Sequence, residues 1–143
     1  MVLDNSYEPC DFVLFGTLGD LSRRKLLPSL YQLEKANLMH PETTIVGVAR
    51  HDMSLEDYIE EVHTNLVKFG EQELCEATWE RMRARLHYAC VDMKNVDSYC
   101  VLDDHVDPSR TMVCYLATPP AIYGDICRGL HSCKIIDSSV RVV

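Results

Sequence analysis

The sequence predicts an α/β fold: a doubly wound, mostly parallel sheet of about five strands with helices on both faces. Three observations carry this expectation. Five short apolar runs, rich in Val, Ile, Tyr and Phe, alternate with helical patterns along the 143 residues. A glycine turn, Gly16-x-x-Gly19, follows the first run directly. Strands separated by helices pair in parallel through crossovers that cover both faces of the sheet. A chain of this length suits one domain, residues 1–143.

Strands are expected at 12–15, 44–49, 87–91, 112–117 and 140–143, where apolar and β-branched residues cluster. Between the first two, residues 21–38 read as a helix with Leu26, Leu30 and Leu33 on one face and Leu27, Tyr31 and Leu38 beside it. Pro28 lacks a donor and crowds the preceding turn, so a kink or a late start is expected there. Residues 55–69 form the clearest helix: Leu55, Ile59, Val62, Leu66 and Phe69 make a stripe, Ser54 suits the N-cap and Gly70 the stop. A second helix follows at about 73–85, and a shorter one at 96–106. Pro119 and Pro120 open the last helix, whose buried face is Ile122, Ile126 and Leu130.

Composition narrows the function classes. Hydrophobic content of 47% and charged content of 25% are ordinary for a globular domain. The net charge of −8, with no basic stripe, argues against nucleic acid as a partner. No apolar run approaches the roughly 20 residues that span a bilayer, and the N-terminus lacks a secretory pattern. A cytoplasmic protein with no membrane partner is the expectation. The seven cysteines include no C-x-x-C pair, so they read as buried or incidental thiols and no metal site is expected.

An acidic chain nevertheless places Arg23, Arg24 and Lys25 directly after the glycine turn, where a helix begins. Cations at a helix N-terminus oppose its dipole at a cost of about 0.3–1 kcal/mol each, and a bound anion reverses that sign. Gly16-x-x-Gly19-x-x-Ser22 is a variant of the dinucleotide fingerprint. Its glycines allow a sharp turn and close approach of a pyrophosphate to the backbone, with helix amides facing the anion. In such Rossmann-like sheets the ligand lies beyond the carboxyl ends of the strands, where the winding reverses. The end of the second strand carries Arg50, whose fork of donors suits a 2′-phosphate and so favours NADP over NAD. Asp52, two residues on, could instead reach a free hydroxyl.

The run DFVLFGTLGDLSRRKLLPSLYQL (11–33) resembles the start of the glucose-6-phosphate dehydrogenase family. Three further features match in order: IVGVAR (45–50), the acidic end of the third strand at Val91-Asp92, and YLATPPAIYGDIC (115–127). The resemblance covers residues 10–143. It implies that Gly16, Thr17, Leu18, Gly19, Asp20, Leu21, Ser22 and Arg23 cradle the cofactor diphosphate, and that Arg50 holds the 2′-phosphate of NADP. Asp92 and Met93 would lie near the adenosine half. The loop from Ala117 to Tyr123 would border the nicotinamide ribose. Ser22 stands where the family often carries a small apolar residue.

The resemblance also implies an activity: oxidation of glucose 6-phosphate to 6-phosphogluconolactone with hydride transfer to NADP. In the family a later segment binds the sugar phosphate, and a later domain supplies a histidine base and a homo-oligomeric interface. None of the six histidines here matches that base, so no catalytic residue is assigned. The expectation is a domain that binds cofactor without turnover, and that self-associates through an incomplete sheet. The alternative is a naturally truncated, non-catalytic NADP-binding or protein-interaction module.

Overall fold

The structure is a computed structural model, and it describes residues 8–133 and 140–143. Its centre is a five-stranded parallel sheet in the order β3-β2-β1-β4-β5. The strands are β1 (Cys10–Phe15), β2 (Thr44–Ala49), β3 (Leu86–Cys90), β4 (Thr111–Leu116) and β5 (Val140–Val142). The chain winds outward from β1 to one edge, then returns to β1 and winds to the other. The winding reverses between β1 and β4, whose last residues Phe15 and Leu116 pair directly.

Successive residues of β1 face opposite sides, which divides the core in two. Leu14 joins Ile45 and Ala49 under α1 (Leu27–Lys35), α2 (Leu55–Phe69) and α3 (Glu76–Arg85). Val13 and Phe15 join Val46, Val48 and Leu116 under a 3₁₀ helix (Val96–Asp104) and α4 (Tyr123–Ser132). Both faces of the sheet are therefore covered, as the alternation of strands and helices requires.

Local sequence accounts for some of the element ends. Ser54 caps α2 by accepting a 3.1 Å hydrogen bond from the Asp57 amide. Pro28 occupies the first turn of α1, and helical backbone running from Asp20 reaches it through a π-helical turn (Ser22–Leu26), so the helix has an irregular turn before Pro28 and not a late start. The face that α1 buries differs from expectation. Leu33 and Leu38 are exposed at 40% and 57%, while Leu27, Leu30, Tyr31 and Glu34 point inward. Glu34 is drawn in because Arg85 donates to its carboxylate at 2.5 Å and Arg81 at 3.1 Å. Arg85 also donates to the carbonyls of His40 and Thr43, which ties α1 and α3 to the start of β2.

The cysteines depart from expectation as well. The sulfurs of Cys100 and Cys133 are paired, joining the 3₁₀ helix to the end of α4, while the other five thiols are free. The two positions are 33 residues apart, so no local spacing announces the pair. No described helix is long and apolar enough to cross a membrane.

Candidate functional site

A crevice of about 550 Å³ opens at the carboxyl ends of β1, β2 and β3, beside the winding reversal. Its floor is the glycine turn. Gly16 has φ +83°, a backbone conformation that L side chains rarely adopt, and a Cβ there would overlap the Ala117 carbonyl at the end of β4. At Gly19 a Cβ would fall 3.1 Å from the Gly16 carbonyl. Both glycines line the crevice together with Leu18, so the backbone itself forms this wall.

The turn is held from below. The amides of Gly16 and Thr17 donate to the Val48 carbonyl at 3.0 and 3.2 Å, and the Gly19 amide donates to the Gly16 carbonyl at 2.9 Å. Ser22 is fully buried, and its hydroxyl also donates to the Gly16 carbonyl. Thr17 is buried too, with its hydroxyl 2.5 Å from that of Tyr58. Thr17 and Ser22 therefore shape the turn, and their side chains do not face the crevice. The Gly19 carbonyl accepts from the Arg23 amide at 3.1 Å, so helical geometry begins at Asp20. The first amides of a helix have no acceptor within it, and here they belong to Asp20, Leu21 and Ser22.

The cations after the turn divide. Arg24 pairs with Asp20 at 2.7 Å and lies 4.7 Å from the centre of the Phe69 ring. Arg24 and Lys25 line a separate groove against the end of α2. Packing against Phe69 of α2 and the pair with Asp20, rather than a neighbouring anion, account for the position of Arg24. Arg23 makes only a 3.8 Å contact with Asp20, and its Nε is buried with no hydrogen-bond partner.

The opposite wall comes from β2 and β3. Arg50 and His51 follow β2 and are both exposed. Their backbone is fixed by Tyr88, whose hydroxyl donates to the His51 carbonyl at 2.5 Å. Burial pushes the Tyr88 phenol up to about 12 and also raises that of Tyr58, so both stay protonated and neutral. Asp92, Met93 and Lys94 follow β3, and the Lys94 amide donates to the Asp92 carboxylate at 3.1 Å. The Met93 carbonyl accepts from the Tyr99 hydroxyl at 2.7 Å. Pro119 and Ile122, in the turn that leads into α4, close the third side. The hydroxyl of Thr118, beside Gly16, is buried with no partner.

Of the residues singled out from sequence, Gly16, Leu18, Gly19, Arg50, Asp92 and Met93 meet around this one space. Ala117 lies beneath Gly16, and Tyr123 starts α4 outside the lining. Asp20 and Leu21 are exposed at the start of the helix. A backbone cradle that a Cβ would fill and an exposed guanidinium across the gap together fit a dinucleotide phosphate chain. Among the described residues, no cluster of three or more His, Cys, Asp or Glu side chains could hold a metal ion.

Residues 13–143 match the family described as glucose-6-phosphate dehydrogenase, NAD binding domain. The chain belongs to this family. It is 41% identical to the glucose-6-phosphate 1-dehydrogenase of Dickeya dadantii, over all of this chain and 29% of that protein. Against the enzyme of the same name from Gluconobacter oxydans the identity is 35%, over 95% of this chain. The crystal structure of glucose-6-phosphate 1-dehydrogenase from Mycobacterium avium superposes with TM-score 0.86 at 26% identity, covering 96% of this chain and 29% of that one. The chain thus spans a little under a third of the length of the curated relatives it matches.

Within this glucose-6-phosphate dehydrogenase domain, the fold adds three lining residues to those expected from sequence, Ala49, His51 and Lys94, while Pro119 and Ile122 belong to the 117–123 loop expected to border the nicotinamide ribose. His51 and Lys94 each stand directly after a residue that was singled out. Looking one position further past each strand end would have found both.

Proposed function

We propose that this chain is the NADP-binding domain of an enzyme that oxidises glucose 6-phosphate to 6-phosphogluconolactone. The observation that carries the reading is the pairing, across one crevice, of the Gly16–Gly19 backbone wall with Arg50 and Lys94. The amides that start the helix at Asp20 would take the diphosphate, with the positive charge of Arg23 beside them. Arg50 would hold the 2′-phosphate in a bidentate grip. Asp92 and Met93 would flank the adenosine, and the 117–123 loop would border the nicotinamide ribose.

When bound, the nicotinamide accepts the hydride that leaves C1 of the sugar. The chain's own residues anchor and orient, and the general base and sugar-phosphate site are assigned outside residues 1–143.

The test uses two preparations: the intact protein and residues 1–143 alone. With glucose 6-phosphate present, the intact protein should reduce NADP, followed by the absorbance of NADPH. Residues 1–143 should bind NADP by calorimetry and form no NADPH. Steady NADPH formation by residues 1–143, free of host enzyme, would overturn the division of labour. Failure of the intact protein to bind NADP would overturn the assignment itself.

A further inference from the structure

We propose that Cys100 and Cys133 form a reversible disulfide that sets the crevice's affinity for its cofactor; the coupling rests on the cofactor reading above. The pair is built for bond formation. The Cα atoms are 5.4 Å apart, within the roughly 4.4–6.8 Å that a disulfide needs without moving backbone. Cys100 is exposed and Cys133 half-buried, an accessible thiol beside a resolving partner.

What the pair joins gives it an effect. Cys100 follows Tyr99, whose ring is buried against Gly129 of α4 so closely that a Cβ on Gly129 would overlap it. The Tyr99 hydroxyl donates to the Met93 carbonyl at 2.7 Å, and the neighbouring Ser98 hydroxyl donates to the Asp92 carbonyl at 2.7 Å. The 3₁₀ helix that carries Cys100 thus holds the loop forming one wall of the crevice. Cys133 ends α4, and α4 begins at the turn that supplies Pro119 and Ile122 to another wall. Closing the bond ties the two walls together behind the site. Ordering them in advance removes part of the cost that cofactor binding otherwise carries.

The chemistry balances with a low-molecular-weight disulfide such as oxidised glutathione as the oxidant. The Cys100 thiolate attacks one of its sulfurs, forming a mixed disulfide and releasing one glutathione thiol. The Cys133 thiolate then attacks the Cys100 sulfur, closing the protein disulfide and expelling the second glutathione. Two electrons and two protons pass from protein to glutathione, and a dithiol reductant reverses the reaction. Linkage makes the effect reciprocal: bound cofactor protects the bridge from reduction by the factor by which the bridge tightens binding.

The experiment compares the intact protein treated with oxidised glutathione and with dithiothreitol, each reagent removed before titration with NADP. Peptide mapping of the oxidised form should recover the Cys100 and Cys133 peptides as one linked species. The oxidised form should bind NADP about fivefold or more tightly than the reduced form, a coupling at the modest end for linked sites. Cys100→Ser and Cys133→Ser should both bind at the reduced affinity, whatever the treatment, which separates this pair from the other exposed thiols. No linked peptide would overturn the proposal, as would a linked peptide with equal affinity in both states. No NADP binding in any state would strike down the cofactor reading and the coupling with it, while the mapping would still report the bond.

Discussion

Thr17 and Tyr58, 41 residues apart in sequence, meet in a hydrogen bond of 2.5 Å between buried hydroxyls. Thr17 belongs to the glycine turn and Tyr58 to the first turns of α2, so the bond locks the floor of the crevice to the helix packed beneath it. Gly47 makes room for it, because a Cβ there would overlap the Tyr58 hydroxyl. The Tyr88 ring lies 5.0 Å from that of Tyr58 and continues the line to the His51 carbonyl.

Removing one member of this pair should cost more than removing both. Tyr58→Phe leaves the Thr17 hydroxyl buried without a partner, a loss of about 1–3 kcal/mol. Adding Thr17→Val should recover much of it, since neither hydroxyl then needs a partner. Urea unfolding of the two variants measures the difference. Equal stability of Tyr58→Phe and the parent would mean that water or a moved side chain satisfies Thr17.

Gly16→Ala should damage fold and site together. A φ of +83° strains any residue with a Cβ by about 1–3 kcal/mol, and the added carbon also displaces the Ala117 carbonyl. Unfolding midpoint and NADP affinity should both fall. An alanine variant with parental values for both would show that the turn relaxes freely.

Glu34 offers the opposite control, far from the crevice. Its side chain is 3% exposed and that of Arg85 9%, so Glu34→Ala strands a buried guanidinium at a cost of about 3–5 kcal/mol. Where the variant remains folded, its NADP affinity should match the parent, because the pair ties α1 and α3 at the other end of the sheet. A variant of full stability would mean the ion pair is dispensable.

Acid should weaken the fold through His87. Burial, and next the neighbouring His105, hold its imidazole below the ordinary 6.5, with Asp11 opposing. The unfolded chain therefore takes up the proton more readily. The stability this histidine contributes is full above about pH 6.5 and is lost as pH falls through the depressed folded value. Thermal melts across that window should show a steeper decline for the parent than for His87→Gln. Parallel curves would assign the acid sensitivity elsewhere.

How much of this was legible depended on whether the cause was local. β2 lies where its β-branched run placed it, and α2 runs between the cap and stop read from Ser54 and Gly70. The glycine turn and Arg50 were legible because turn chemistry and strand ends leave local marks. The buried face of α1 was misread because leucines outrank a glutamate on any hydropathy argument. Only the fold brings Arg85, 51 residues away, to Glu34. The Cys100–Cys133 pair was hidden for the same reason, and so was the attachment of Arg24 to Phe69. Long-range partners decide these positions, and a single sequence carries no record of them.

The central claim is that this crevice is an NADP site read by Arg50. Calorimetric titration of NADP and of NAD into the intact protein and into Arg50→Ala tests it most directly. A charge-assisted contact with the 2′-phosphate is worth about 1.5–3 kcal/mol. The variant should therefore bind NADP about ten- to a hundredfold more weakly and NAD almost as before. Equal losses for both cofactors would contradict the account by assigning Arg50 to the shared adenosine or to the fold. Unchanged NADP affinity would contradict it by moving the phosphate grip away from the end of β2.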